Sequence, residues 1–364
     1  MTRIHVLSQQ PFSDAIVASG LDMFNNLCLF AHFDQDDILA DYVIHYLEAI
    51  RAVGFDIVVI STSHLPANDV SRLRSVAHDV ILRENKGHDF ASWALGIERY
   101  ASLVSGQLMI ANDSVYGPIG DLSQALARLT SVRSDVYGII ESREIKRHLQ
   151  SWLIIFEPHV HDSAAFRSVF KQPFHQMTKA EIIRDGEIGL SQSLISHGYS
   201  IRALFDGKFR NGQSLKISSN ASHFLWRELI EIEEIPFLKV ELLRVNPCRI
   251  ASISKWNDVV TAKLPELAAM IESHLARTSK GRTNDVESLH RLPALPNDLQ
   301  IFVGRDYDYA TTGRKVASWV NLAYSRFHGL KRLLLRQFYY NSVPLRHVFA
   351  RSKQRSFPRD GGLP

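Results

Sequence analysis

The chain is poor in the features that staple or anchor a protein. Only two of its 364 residues are cysteine, Cys28 and Cys248. Two thiols do not make a disulfide framework, and a reducing compartment suits such a chain. No apolar run approaches the roughly 18 residues of a membrane span. The opening stretch MTRIHVLSQQPFSD has no apolar signal core. The expectation is a cytoplasmic protein, free or peripheral on the cytoplasmic face of the inner membrane. Several catalytic signatures are also missing. There is no GxxxxGK[ST], which argues against a P-loop, and no GxGxxG after the first expected strand, which argues against a Rossmann dinucleotide site. A GxSxG nucleophile elbow, paired cysteines and HExxH are absent as well.

What is present reads as a globular chain. Hydrophobic residues make up 45% and charged residues 22%, so wholly disordered or fibrous classes are excluded. The net charge of +4 is unevenly placed. Residues 313–359 hold 11 basic residues and no acidic one, which leaves 31 basic against 38 acidic elsewhere. The body is therefore mildly acidic, which speaks against a body-wide nucleic-acid surface. The cationic segment calls for an anionic partner. Val316, Val320, Ala323, Phe327, Leu330, Leu334 and Phe338 recur at helical spacing, with Arg314, Arg326, Arg332 and Arg336 off that stripe. Such a helix either packs on the body or lies on an anionic membrane surface. Nucleic acid is not expected as a partner.

Along the first 210 residues, apolar β-branched runs alternate with helical stretches. Strands are expected at 27–31, 56–61, 80–82, 107–111, 136–141 and 151–156, and helices at 38–53, 69–78, 91–104 and 122–129. This is the pattern of an α/β sheet with helices on both faces. From about Asn220 the pattern becomes mostly helical, at 223–234 and 259–279. The expected organisation is an α/β unit at 1–215, a mostly helical extension at 216–300 and a basic amphipathic tail at 301–364.

Polar residues gather directly after the strands. The first strand runs into His32-Phe33-Asp34, the second into Ser61-Thr62-Ser63, the third into Arg83-Glu84-Asn85-Lys86-Gly87-His88-Asp89, and the fourth into Asn112-Asp113-Ser114. If these strands are parallel, all four clusters share one sheet edge, where ligands of such sheets bind. Helix capping also collects Asp, Asn and Ser at these turns, but four loops together favour a charged, sugar-like or nucleotide ligand. Glu157, His159 and His161 alternate, yet Pro158 interrupts them and no fourth metal ligand is evident, so a solvated strand end is expected there.

The order of these pieces resembles the family 2-like glycosyltransferases of the GT-A fold. The carrying segments are LFAHFDQDDILADYVIHYLEAI (29–50), ENKGHDFASWALGI (84–97), ANDSVYGPI (111–119), HLQSWLIIF (148–156) and Asp185-Gly186-Glu187 ahead of a Leu-rich helix. More closely, the chain is similar to the rhamnan synthesis protein F family over about residues 25–206. That resemblance implies a GT-A-like sheet and transfer of a sugar from a nucleotide-sugar donor to a cell-surface polysaccharide or lipopolysaccharide. It implies a donor side built from His32, Asp34, Ser61, Arg83, Asn85, Asp89 and Asn112. His148, Gln150 and Ser151 would line the acceptor side, toward a lipid-linked glycan. Glu187 would be the general base, and Asp113 would hold Mg²⁺ or Mn²⁺ at the donor diphosphate. One departure stands out. Where the metal motif carries two acids, this chain reads Ala111-Asn112-Asp113 and keeps only one. A non-catalytic glycan-binding or scaffold protein is the alternative that this loss supports.

Overall fold

The computed structural model describes residues 23–278, except 144, 211–219 and 247–249. The expected basic tail lies outside the described residues. Four parallel strands form half of the main sheet: β1 (Leu27–His32), β2 (Asp56–Ser61), β3 (Asp79–Leu82) and β4 (Leu108–Asn112), in the order β3-β2-β1-β4. A short β5 (Val115–Tyr116) follows β4. The rest of the sheet is β6 (Val136–Ser142), β7 (His148–Leu149), β8 (Leu153–Phe156) and β9 (Ile201–Phe205). β8 runs antiparallel between β4 and β6, while β9 pairs parallel with β6. The result is a mixed sheet flanked by helices.

Why this layering forms is visible in β1. Its residues are buried throughout, but successive side chains point to opposite faces. Cys28 and Phe30 join one apolar cluster, and Leu27, Leu29 and Ala31 join the other. A strand buried on both faces must read as a continuous apolar run. Helices α1 (Asp41–Ala52), α2 (Ala67–Val76) and α4 (Leu122–Thr130) supply the first cluster. Helices α3 (His88–Tyr100), α5 (Ala164–Phe170) and α6 (Gly189–Ser196) supply the second.

The later segment, of unclear role in the sequence, packs into the first cluster. Leu229, Leu242, Val260, Leu267 and Ile271 lie in the same core as Phe30 and Tyr46. A two-residue strand, β10 (Leu238–Lys239), pairs antiparallel with β5. The last described helix, α7 (Pro265–Thr278), leans on α1. The helix expected over 259–279 is in fact two, because Pro265 opens a new helix, and Trp256–Thr261 forms a separate one. The expected strand 151–156 begins only at Leu153. Glu157-Pro158-His159 is not a strand end: Pro158 starts a short helix, Pro158–His161. His161 is buried on the Gly106 carbonyl at 3.0 Å, and His159 turns to Asp135 at 2.8 Å, so these side chains diverge. Among the described residues no helix is long and apolar enough to cross a membrane.

Candidate active site

The parallel register of β1, β2, β3 and β4 brings their carboxyl ends to one edge, and the loops there are joined by direct bonds. The Phe33 N–H donates to Asp113 Oδ2 at 2.8 Å, linking the β1 loop to the β4 loop. His32 Nδ1 and Ser61 Oγ share a 2.9 Å bond, linking β1 to β2. The Asp34 N–H donates to Ser63 Oγ, whose hydroxyl donates back to the Asp34 carbonyl. Asn112 Nδ2 donates to Asp89 Oδ2 at 2.8 Å, linking β4 to the start of α3. Asp37 (φ 57°) and His88 (φ 51°) hold left-handed backbone in these same loops, a conformation that side-chain-bearing residues seldom adopt.

The electrostatics of this edge are unbalanced. Burial drives the Asp113 carboxyl well above the usual carboxylate range, and the nearby Asp89 charge adds to the effect. Burial also raises Asp89, partly opposed by His88, Asn112 and Lys239. His32 offers no relief: burial pulls its pKa down to about 4. At neutral pH it is uncharged, so its 3.9 Å approach to Asp113 is not an ion pair. Two part-buried acids with no cation in ion-pair contact among the described residues favour a ligand that brings positive charge. Among the described residues no group of three His, Cys, Asp or Glu side chains could hold a metal ion. The donor set nevertheless fits Mg²⁺, which commonly takes one or two carboxylates and completes its shell with phosphate oxygens and water.

The other expected site residues fall into two groups. On the acceptor side, Glu187 Oε1 accepts from the Ser151 N–H at 3.4 Å and lies 3.9 Å from His148 Nε2. His148 Nδ1 meets the Lys146 carbonyl at 2.7 Å. Gln150 is buried, and its amide is engaged at both ends, donating to Asn220 Oδ1 and accepting from Trp152 Nε1. The Glu187 charge also adds slightly to the rise of the Asp89 carboxyl, so the two acids lie within electrostatic range of one another. Arg83 turns away to Ser92 Oγ and the Lys86 carbonyl. Asn85 is exposed and joins none of these bonds among the described residues.

Asp34 is not free. Arg277 of α7 grips it with both guanidinium nitrogens, at 2.8 Å to Oδ1 and 2.6 Å to Oδ2. His274 Nε2 lies 3.8 Å from Oδ2, and Asp34 Oδ1 accepts from the Asp36 N–H. Three cations from the later segment thus reach the site region: Lys239, Arg244, whose guanidinium donates to Gln35 Oε1, and Arg277. Sequence reasoning missed all three. Single basic residues in a helical stretch carry no spacing signal, and they arrive only because β10 docks on β5 and α7 on α1.

An α/β sheet with part-buried acids gathered at the carboxyl edge of its parallel strands defines a class of ligand-binding protein. The chain belongs to the rhamnan synthesis protein F family, whose profile matches residues 57–286. It is similar to protein y4gN of Sinorhizobium fredii, 28% identical over 165 residues, covering 44% of this chain and 43% of that one. It is also similar to virulence protein VirA of Vibrio anguillarum, 27% identical over 202 residues, covering 47% of this chain and 64% of that one. The chain thus spans less than two thirds of the length of either relative. Among solved structures, 4-diphosphocytidyl-2C-methyl-D-erythritol synthase from Anaerococcus prevotii overlaps 57% of this chain and 95% of its own. Its identity is 8% and its TM-score 0.33.

Proposed function

We propose that the protein is a glycosyltransferase that moves a sugar from a nucleotide-sugar donor to a growing cell-surface polysaccharide or lipopolysaccharide. The observation that carries this reading is the sheet edge where Asn112 bonds Asp89 beside Asp113, with Glu187 within electrostatic range of Asp89, in a chain of the rhamnan synthesis protein F family. The donor side is His32, Ser61, Asp89 and Asn112, with Asp34, Arg83 and Asn85 at its margin. The acceptor side is His148, Gln150 and Ser151. Asp113, with Asp89 beside it, would hold Mg²⁺ or Mn²⁺. When bound, such an ion neutralises diphosphate charge.

Glu187 acts as the base. Its carboxylate takes the proton of the acceptor hydroxyl as that oxygen bonds to the donor's anomeric carbon. The bond from that carbon to the β-phosphate oxygen breaks, and the nucleoside diphosphate leaves with the electron pair. His148 and the Ser151 N–H hold Glu187 in place. General-base assistance of this kind contributes about 10²–10⁴-fold. Thermal shift with TDP-, UDP- and GDP-sugars, with and without Mg²⁺ or Mn²⁺, tests donor binding. At least one donor should raise the melting temperature, and Glu187→Gln should bind it yet lose about 10²–10⁴-fold in turnover. Wild-type turnover in Glu187→Gln would remove the base assignment.

A second reading, a non-catalytic glycan-binding or scaffold protein, is favoured by Ala111 at the motif's first acid and by Arg277's grip on Asp34. It forecasts no shift with any donor. The basic segment 313–359 would hold the enzyme to an anionic membrane, near a lipid-linked glycan acceptor. Deleting the chain after Asp308 should abolish sedimentation with anionic liposomes. Equal pelleting of the truncated and intact proteins would discard membrane attachment through this segment.

A further inference from the structure

We infer that Lys239 is the protein's own cationic contact for the departing diphosphate. This rests on the glycosyl-transfer reading and adds to it a residue from outside the sheet's motif loops. The backbone places Lys239 beside the acidic loop: it stands opposite Val115 in the β5–β10 pair, and the next residue's N–H, Val240, donates to the Ser114 carbonyl at 3.0 Å. That anchor fixes Lys239 one residue from Asn112-Asp113-Ser114 across the ladder. Its side chain then runs over Trp152, with Nζ 5.5 Å from the ring centroid. Trp152 is itself buried and tied to Gln150, and its neighbour Ser151 bonds Glu187. The ammonium thus lies beside the β4 loop and over Trp152, within electrostatic range of both Asp89 and the proposed base Glu187.

Among the other cations of this region, Arg277 holds Asp34 and Asp36, Arg83 holds Ser92 and the Lys86 carbonyl, and Arg244 donates to Gln35 Oε1, though its buried Nε has no partner among the described residues. Among the described residues nothing comes within hydrogen-bond or ion-pair distance of Lys239 Nζ. A part-buried ammonium with only a ring face beneath it is costly, and a compact point charge with three donors suits a phosphate oxygen. Burial lowers its pKa to about 8, with Glu187, Glu241 and Asp89 opposing that fall, so it is still mostly charged at neutral pH. The position also answers the lost acid at Ala111: with one motif carboxylate left, less of the leaving charge can be met through an ion, and a fixed ammonium meets the rest. As the anomeric C–O bond breaks, the β-phosphate oxygen takes the electron pair, and Lys239 Nζ donates a hydrogen bond to that oxygen without transferring its proton.

Isothermal titration of the full chain with UDP, TDP and GDP, and with the matching monophosphates, tests this. The wild type should prefer a diphosphate to its monophosphate. The neutral variants Lys239→Gln and Lys239→Met should lose about 10–100-fold in diphosphate affinity, the worth of one charged hydrogen bond, with monophosphate affinity within about twofold. Lys239→Arg should retain the preference. Whichever neutral variant keeps the wild-type melting temperature is the informative one, and if neither does, the wild-type preference and Lys239→Arg decide. Unchanged diphosphate affinity in the neutral variant, equal losses for both nucleotide classes, or no wild-type preference each overturn the role of Lys239 while leaving donor binding intact. A wild type that binds no nucleotide at all removes the glycosyl-transfer reading, and this inference with it.

Discussion

Asp34 shows how one carboxylate can be held in a charged state by its surroundings. Burial alone would raise its pKa. The nearby His274 imidazole, the Arg277 guanidinium and the Asp36 N–H more than reverse this, and its carboxyl sits well below the usual range. A depressed folded-state pKa stabilises the fold fully above the unfolded value of about 3.9, and the stabilisation drains away as pH falls through the folded value. Asp34 is 7% exposed in its side chain and Arg277 22%. Removing one partner of a buried pair costs about 3–5 kcal/mol, and the partial exposure of Arg277 sets the expectation for Asp34→Asn near the lower end, at roughly 3 kcal/mol. Urea midpoints should differ widely between wild type and Asp34→Asn at pH 7 and converge below about pH 4. A gap that stays constant from pH 7 to pH 2.5 would assign the loss to packing instead.

The residues of the cleft differ in how readable they were. Asp89, Asn112 and Asp113 stand in strand-end loops, so local pattern alone pointed to them, whereas Glu187 came only from the family resemblance. Arg277 and Lys239 did not: Arg277 meets Asp34 across a sequence separation of 243, and no local pattern encodes that meeting. The sequence also could not show that Asp34 is already engaged, because that depends on where α7 docks.

At the scale of elements, six strands were legible because double burial demands unbroken apolar runs. The sheet strand β9 was missed, its five residues IRALF being only alternately buried, and so were the two-residue strands β5, β7 and β10, since so short a pair has no periodicity to detect. The segment carrying Glu187 is a wide turn that no propensity announces: Ile182–Ile188 is π-helical, a form that often marks functional sites. Its Gly186 faces the Phe90 ring, and a Cβ there would come within 2.9 Å of Phe90 Cδ1. Phe90 is wedged among Trp93, Phe170 and Phe174, so the ring has little room to retreat. A similar closeness governs Gly87, at φ 79°, where a Cβ would meet the Phe174 backbone at 2.7 Å, and this turn sets the start of α3 and so Asp89. Gly186→Ala should push the π-helical turn off the core. Overpacking of this kind costs about 1–3 kcal/mol, and displacement of Glu187 by about 1 Å costs on the order of 10²-fold in turnover. Donor affinity should change little, because Glu187 serves the acceptor. Measured turnover equal to wild type, with an unchanged melting temperature, would mean that the turn has slack the contacts do not suggest.

At the scale of the whole molecule, the question is whether the later segment is an appendage or part of the folding unit. Ile271 of α7 is fully buried, and its cluster includes Phe30 of β1, Val59 of β2 and Tyr46 of α1. Tyr116 OH and His274 Nδ1 share a 2.7 Å bond across the same boundary, and Tyr42 OH donates to the Asp113 carbonyl. Apolar packing and polar bonds therefore join α7 to Asp34 after β1 and to Tyr116 of β5, so loosening α7 should loosen that part of the sheet edge as well. Ile271→Ala removes three methyl(ene) groups from a closed core, at a cost of about 2–5 kcal/mol. If sheet and extension share one core energetically, tryptophan fluorescence and far-ultraviolet circular dichroism should report a single transition, shifted to lower temperature by the same amount in both signals. Two separated transitions, with the sheet melting where it does in the wild type, would show instead that the cleft stands without α7, and that Arg277's hold on Asp34 is an added latch rather than a part of the fold.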